Sequence, residues 1–138
     1  MPEHDLIAPH LRDPGYSYRA HVVKVVDADT IDVDIDVGFN ILVRKRLRLY
    51  GVNAWETRGS ERNLGLEAKN YVVSMIARAE TVIVQTLMDA EGKYGRLLAW
   101  VFVIPAEKWV LDGCYRPVCL NTELIALGHG RPYMVGKT

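Results

Sequence analysis

The chain has 138 residues, 49% hydrophobic and 25% charged, with 17 basic residues balanced by 17 acidic ones. That length suits one domain with a real core, and no run of about 18 apolar residues is present to cross a membrane as a helix. The zero net charge argues against tight, sequence-independent coating of DNA, but it leaves room for a small phosphate-reading site, because local fields matter more than the total. Cys114 and Cys119 are too few for a disulfide framework, and two thiols alone make no metal site.

Residues 1–17 are polar and punctuated by Pro9, Pro14 and Gly15, which predicts a flexible N-terminal arm. The arm has no apolar stretch of the kind a secretory signal needs, so a cytoplasmic protein of a bacterium or phage is expected. A first strand is predicted over Tyr18–Val26, and Asp27-Ala28-Asp29 is a tight link into a second, Thr30–Val37. There Ile31, Val33, Ile35 and Val37 alternate with Asp32, Asp34 and Asp36, the period of a half-buried strand.

After a turn at Gly38-Phe39-Asn40, a third strand over Arg44–Val52 puts Leu47 and Leu49 on one face. Arg44, Arg46, Arg48 and Tyr50 lie on the other. A hairpin with this loop sets Asp34 opposite Arg44, Asp32 opposite Arg46 and Thr30 opposite Arg48. The first two pairs account for their own charges as a wet face. Arg48 faces a neutral threonine, with Asp29 at the strand's start and Glu56 just beyond, so this end of the hairpin reads as a site.

Asn53–Gly59 is a polar loop. A helix starts between Ser60 and Gly65, with an apolar stripe of Leu64, Ala68, Tyr71, Val72, Met75, Ile76 and Ala79. A fourth strand is predicted over Thr81–Leu87, a turn over Asp89–Tyr94, and a fifth strand over Leu97–Ile104. Trp109–Pro117 is a loop or small hairpin. A short helix over Leu120–Leu127 turns Leu120, Leu124 and Leu127 inward and is capped by Gly128. Residues 129–138 form a C-terminal tail, and Tyr71, Trp100 and Phe102 read as core. Three strands, a helix, two strands and a helix suit an α+β fold. The expected form is a five-stranded OB-fold barrel, with a helix between strands three and four and a short C-terminal helix. An open sheet would leave apolar edges bare.

Three motifs now stand in order. They are Asp27-Ala28-Asp29-Thr30, then Arg48-Leu49-Tyr50-Gly51-Val52-Asn53-Ala54-Trp55-Glu56, then Lys93-Tyr94-Gly95-Arg96-Leu97-Leu98-Ala99. They resemble the D-G-D-T, R-L-x-G-I-D-x-P-E and K/R-Y-G-R-x-L-A motifs of the staphylococcal (thermo)nuclease-like family. Gly65-Leu66-Glu67-Ala68 resembles the family's G-x-E-A at the helix start. Three motifs in order on the right elements are specific, and the resemblance covers residues 18–128.

The resemblance implies an OB barrel and calcium-dependent hydrolysis of phosphodiester bonds in DNA and RNA, leaving 3′-phosphates. It implies Asp29 as a direct calcium ligand, joined by Asn53 and the backbone carbonyl of Ala54, with Asp27 supporting the metal from behind. Arg48 and Arg96 would grip the scissile phosphate, Glu56 would order or deprotonate the attacking water, and Lys93 and Tyr94 would flank the nucleotide. Neither a membrane nor an obligate protein partner is implied.

Such groups suit the chemistry. Charge builds on the equatorial oxygens of the phosphoryl group during attack, where a hard cation and the planar forks of two arginines stabilise it.

This chain departs from the family pattern at particular positions. Asn53 replaces an aspartate, keeping a carbonyl oxygen but removing a negative charge, so weaker calcium binding or a shift to another divalent metal is expected. Ala28 replaces a glycine. Trp55 replaces a proline and adds a flat surface on which a base could stack. The alternative is a catalytically weakened or silent OB module that binds nucleic acid or protein. Silent modules tend to lose the arginines or the glutamate, and this chain keeps Asp29, Arg48, Glu56 and Arg96. Arg58 and Arg62 read as solvated charges at the helix start.

Overall fold

In the computed structural model, residues 16–91, 97–106 and 117–133 are described. Alternation builds the first three strands: β1 (Tyr16–Asp27), β2 (Thr30–Asp36) and β3 (Leu42–Leu49). Ile31, Val33 and Ile35 of β2 and Leu47 and Leu49 of β3 are buried on one face. On the other face the register pairs Asp34 with Arg44, Asp32 with Arg46 and Thr30 with Arg48, as the period of two requires. Arg46 forks onto Asp32 with bonds of 2.7 and 3.1 Å, and Arg44 forks onto Asp34 in the same way. The loop between them places Gly38, Phe39 and Asn40 at positive φ, so β2 stops at Asp36.

The third strand ends at Leu49, short of the predicted Val52, because Gly51 (φ +79°) turns the chain. Val52–Ala54 then forms a separate strand, β4, where a polar loop was predicted from Asn53. A 3-10 turn over Gly59–Glu61 leads into α1 (Arg62–Ala77). Gly65, Ala68 and Val72 are its buried positions, with Tyr71, Met75 and Ile76 packed partly against the core. Leu64 is 46% exposed, so the stripe begins one residue later than predicted, at Gly65. Only a residue without a side chain lets the helix approach the backbone of Glu56 and Thr57 so closely.

Next come β5 (Ala79–Glu91), which takes Ala79 from the predicted helix, and β6 (Leu97–Pro105). The sheet runs β3-β2-β1-β5-β6, and a parallel pairing of β3 with β6 closes it. In that pairing Leu47, Arg48 and Leu49 face Leu97, Leu98 and Ala99. Among the described residues the result is a closed, five-stranded mixed β-barrel with two α-helices. A short β7 (Val118–Cys119) adds to β6 and leads into α2 (Leu120–Ala126).

Leu120 and Leu124 are buried as predicted. Leu127 lies beyond the end of α2 and is 53% exposed, because the chain reverses at Gly128 (φ +77°). Asn121 fastens α2 to the barrel seam. Its side-chain oxygen accepts from the Val101 N–H (2.9 Å), and its amide donates to the carbonyls of Tyr50 (2.8 Å) and Ala99 (3.1 Å). Phe102 is buried with Ile83, Ile104 and Cys119 in a small second core, against which the half-buried Trp100 packs. Tyr71 is half-buried and stacks on His129 at 5.2 Å. Burial pushes the Cys119 thiol up.

The predicted tail folds back at its start. Gly130–Pro132 forms β8, which pairs with β4. β5 takes residues 89–91 of the predicted Asp89–Tyr94 turn, while the rest of that turn, the predicted arm before Tyr16, and residues 109–116 with Cys114 lie outside the described residues. No described helix is long and apolar enough to cross a membrane.

Candidate active site

One end of the β2–β3 hairpin opens into a polar cleft of about 500 Å³. Asp27 comes from the end of β1, Asp29 from the link to β2, Arg48 from β3, Asn53 and Ala54 from β4, Glu56 from the segment beyond, and Lys69 from α1. Separate segments of the chain therefore converge here because the barrel brings their ends together.

Asp29 is the buried acid at the floor. Its Oδ1 accepts from the Thr30 hydroxyl (2.9 Å), and its Oδ2 accepts from the Ala54 N–H (2.9 Å). Its backbone carbonyl accepts from the Leu49 N–H (2.8 Å), which ties the link to β3. Arg48 Nη1 lies 3.5 Å from Asp29 Oδ2, so Arg48 has an acidic partner that cross-strand pairing alone did not reveal. Its Nη2 donates to the Val52 carbonyl (3.1 Å) and to Asn53 Oδ1 (3.4 Å). The Tyr133 ring lies 5.5 Å from the guanidinium. With a side chain only 14% exposed, Arg48 is held in place while still lining the cleft.

Glu56 is exposed, and its backbone is fixed from two sides. Its N–H donates to Glu61 Oε2 (3.0 Å), and α1 presses on its carbonyl at Gly65. The Thr57 hydroxyl donates to Asp27 Oδ1 (3.3 Å), joining the same segment to the end of β1. Asp27, Asp29 and Glu56 face Arg48, Arg58 and Lys69 around the cleft, so it presents both signs of charge.

Asp27, Asp29, Arg48, Asn53, Ala54 and Glu56 are thus brought together. Lys93, Tyr94 and Arg96 lie outside the described residues. Sequence reasoning did not find Thr57, Glu61, Lys69, Arg131 or Tyr133. Each lies outside the three motifs, and no local pattern marks it. Arg58, read as a solvated charge, is exposed as expected but lines the cleft.

As a cation site the cleft offers oxygen donors, namely the carboxylates of Asp29, Asp27 and Glu56 and the amide oxygen of Asn53, the type that suits calcium or magnesium. Among the described residues no three His, Cys, Asp or Glu side chains cluster closely enough to hold a metal ion by themselves. A cation would therefore rest on Asp29 supplemented by neutral oxygens and water. The donors fit a hard divalent ion in kind, with little negative charge behind them. No protein-family model matches the chain, and no curated protein matches it.

Proposed function

We propose that this chain is a small metal-dependent nuclease built on an OB-type barrel, of the staphylococcal-nuclease-like kind. It would hydrolyse phosphodiester bonds in DNA and possibly RNA. The observation that carries this reading is the convergence of Asp29, Arg48, Asn53 and Glu56 on one cleft, with Arg48 held 3.5 Å from Asp29.

Asp29, Asn53 Oδ1 and the Ala54 carbonyl would hold the cation, calcium or another divalent metal, with Asp27 behind them. When bound, such an ion supplies positive charge beside a non-bridging phosphate oxygen. Arg48, fixed by Asp29, Val52 and Asn53, offers its remaining N–H groups to the phosphate without reorganising. A donor of this kind is worth about 3–4 kcal/mol in the transition state. Arg96, placed by its motif, is the proposed second donor. Glu56 sits on a braced backbone with its carboxylate in solvent, suited to orienting water and accepting its proton, a contribution of about 10²–10⁴-fold.

The test is hydrolysis of single-stranded DNA by purified protein with calcium, with other divalent metals and with chelator. Cleavage that needs a metal supports the reading. Absence of cleavage from folded protein with every metal sinks it and leaves a silent binding module.

A further inference from the structure

Trp55 is poorly explained as a packing residue. It is half-buried and lies on the wall of a polar cleft, directly before Glu56. Its orientation is nevertheless tightly fixed. The indole Nε1 donates to the Gly128 carbonyl (2.8 Å), and the backbone N–H donates to the His129 carbonyl (3.3 Å). The guanidinium of Arg131 lies 4.5 Å from the ring centroid, within cation–π range. Arg131 is exposed, and β8 sets it opposite Asn53. A rigid aromatic plate backed by a cation therefore stands next to the proposed phosphate-gripping and water-orienting residues.

We propose that Trp55 and Arg131 form a base-binding subsite, in which the nucleobase next to the phosphate held at Arg48 stacks on the indole. The inference rests on the nuclease reading of the cleft. The base, the indole and the guanidinium make one stack. The Nε1 bond to Gly128 is already made, so the indole recognises a base by its face rather than its edge and does not select among the bases. A base must be unpaired to enter such a stack, so the subsite favours single strands.

The test uses the Glu56→Gln protein with calcium, so that bound oligonucleotide is not consumed. It compares the affinity of a short oligothymidylate with that of an abasic oligonucleotide of equal length, by fluorescence anisotropy. The base-bearing strand is expected to bind about fivefold tighter or more. In a Trp55→Leu background that ratio falls towards one while the abasic affinity stays within about twofold. Trp55→Phe, which keeps a ring and loses the Nε1 tether, retains most of the ratio and controls for folding. Equal losses for both strands in Trp55→Leu would show a purely structural bolt and overturn the proposal, as would an unchanged ratio or no binding of either strand. Hydrolysis by the wild-type protein is scored separately. A Trp55-dependent ratio without cleavage overturns the nuclease reading alone, and cleavage without that dependence overturns the subsite alone.

Discussion

Gly65 and Glu56 meet so closely that no side chain fits between them. A Cβ on Gly65 would lie 2.0 Å from the Glu56 carbonyl oxygen and 2.7 Å from the Thr57 nitrogen. The start of α1 is thereby the brace for the segment that carries Glu56. Alanine is the better helix former by about 1 kcal/mol. Gly65→Ala is nonetheless expected to destabilise the protein by about 1–3 kcal/mol, because backbone must move to admit the methyl group. Hydrolysis should fall further than stability as Glu56 shifts. Urea unfolding and kcat/KM on single-stranded DNA measure the two effects.

Asn53 accepts a hydrogen bond from Arg48 at 3.4 Å and adds no charge to the cleft. Asn53→Asp should strengthen divalent-ion binding, because a second carboxylate joins Asp29 while Arg48 keeps its acceptor. A ligand that binds only the folded state raises stability with its concentration. The expected result is a larger rise in Tm on adding calcium than the wild-type protein shows, and the same Tm as wild type or lower in chelator.

The fold was legible where the pattern is local. The alternation of Ile31, Val33 and Ile35 with Asp32 and Asp34 fixed the hairpin register, and the structure keeps it. The β4–β8 pairing was not legible, because Val52–Ala54 and Gly130–Pro132 are too short to show a period and lie far apart in the chain. The same long-range pairing hid the Trp55–Arg131 stack. Arg48 read as unpaired because cross-strand logic considers opposite residues, whereas Asp29 reaches it from the link before β2. Gly65 stands in the sequence only as a possible helix start and as the first residue of the G-x-E-A resemblance. Its use became visible only once the Glu56 carbonyl was placed against it.

Asn121 is buried and bonds to three backbone groups, of which those of Ala99 and Val101 are buried and that of Tyr50 is half-buried. Asn121→Leu leaves the Val101 N–H and the Tyr50 and Ala99 carbonyls without that partner. The Ala99 carbonyl keeps its bond from the Tyr50 N–H (2.9 Å), so the buried Val101 N–H carries most of the cost, and a loss of about 1–3 kcal/mol is expected from denaturant unfolding. The damage falls on the β3–β6 seam that closes the barrel, so activity should be lost with the fold rather than before it.

The hydrogen bonds from Arg46 hold the Asp32 carboxyl below the usual carboxylate range, and those from Arg44 do the same for Asp34. Groups depressed on folding add stability that is fully present above the unfolded value, about 3.9 for Asp, and is lost as pH falls through the lower folded values. Stability should therefore decline below about pH 4. The double variant Asp32→Asn/Asp34→Asn should show a shallower acid decline. High salt should shrink the difference, since both pairs are largely exposed. Urea midpoints measured from pH 2 to pH 6 at low and high salt would show whether it does.

The most direct test of the central claim is the rate of single-stranded DNA hydrolysis by wild-type and Glu56→Gln proteins, purified side by side. Calcium, magnesium and manganese would each be tried, with chelator as the zero. The account predicts metal-dependent cleavage by the wild-type protein and a drop of about 10²–10⁴-fold in Glu56→Gln at unchanged Tm. Equal rates in the two proteins, or no cleavage by the wild-type protein with any metal, would contradict it.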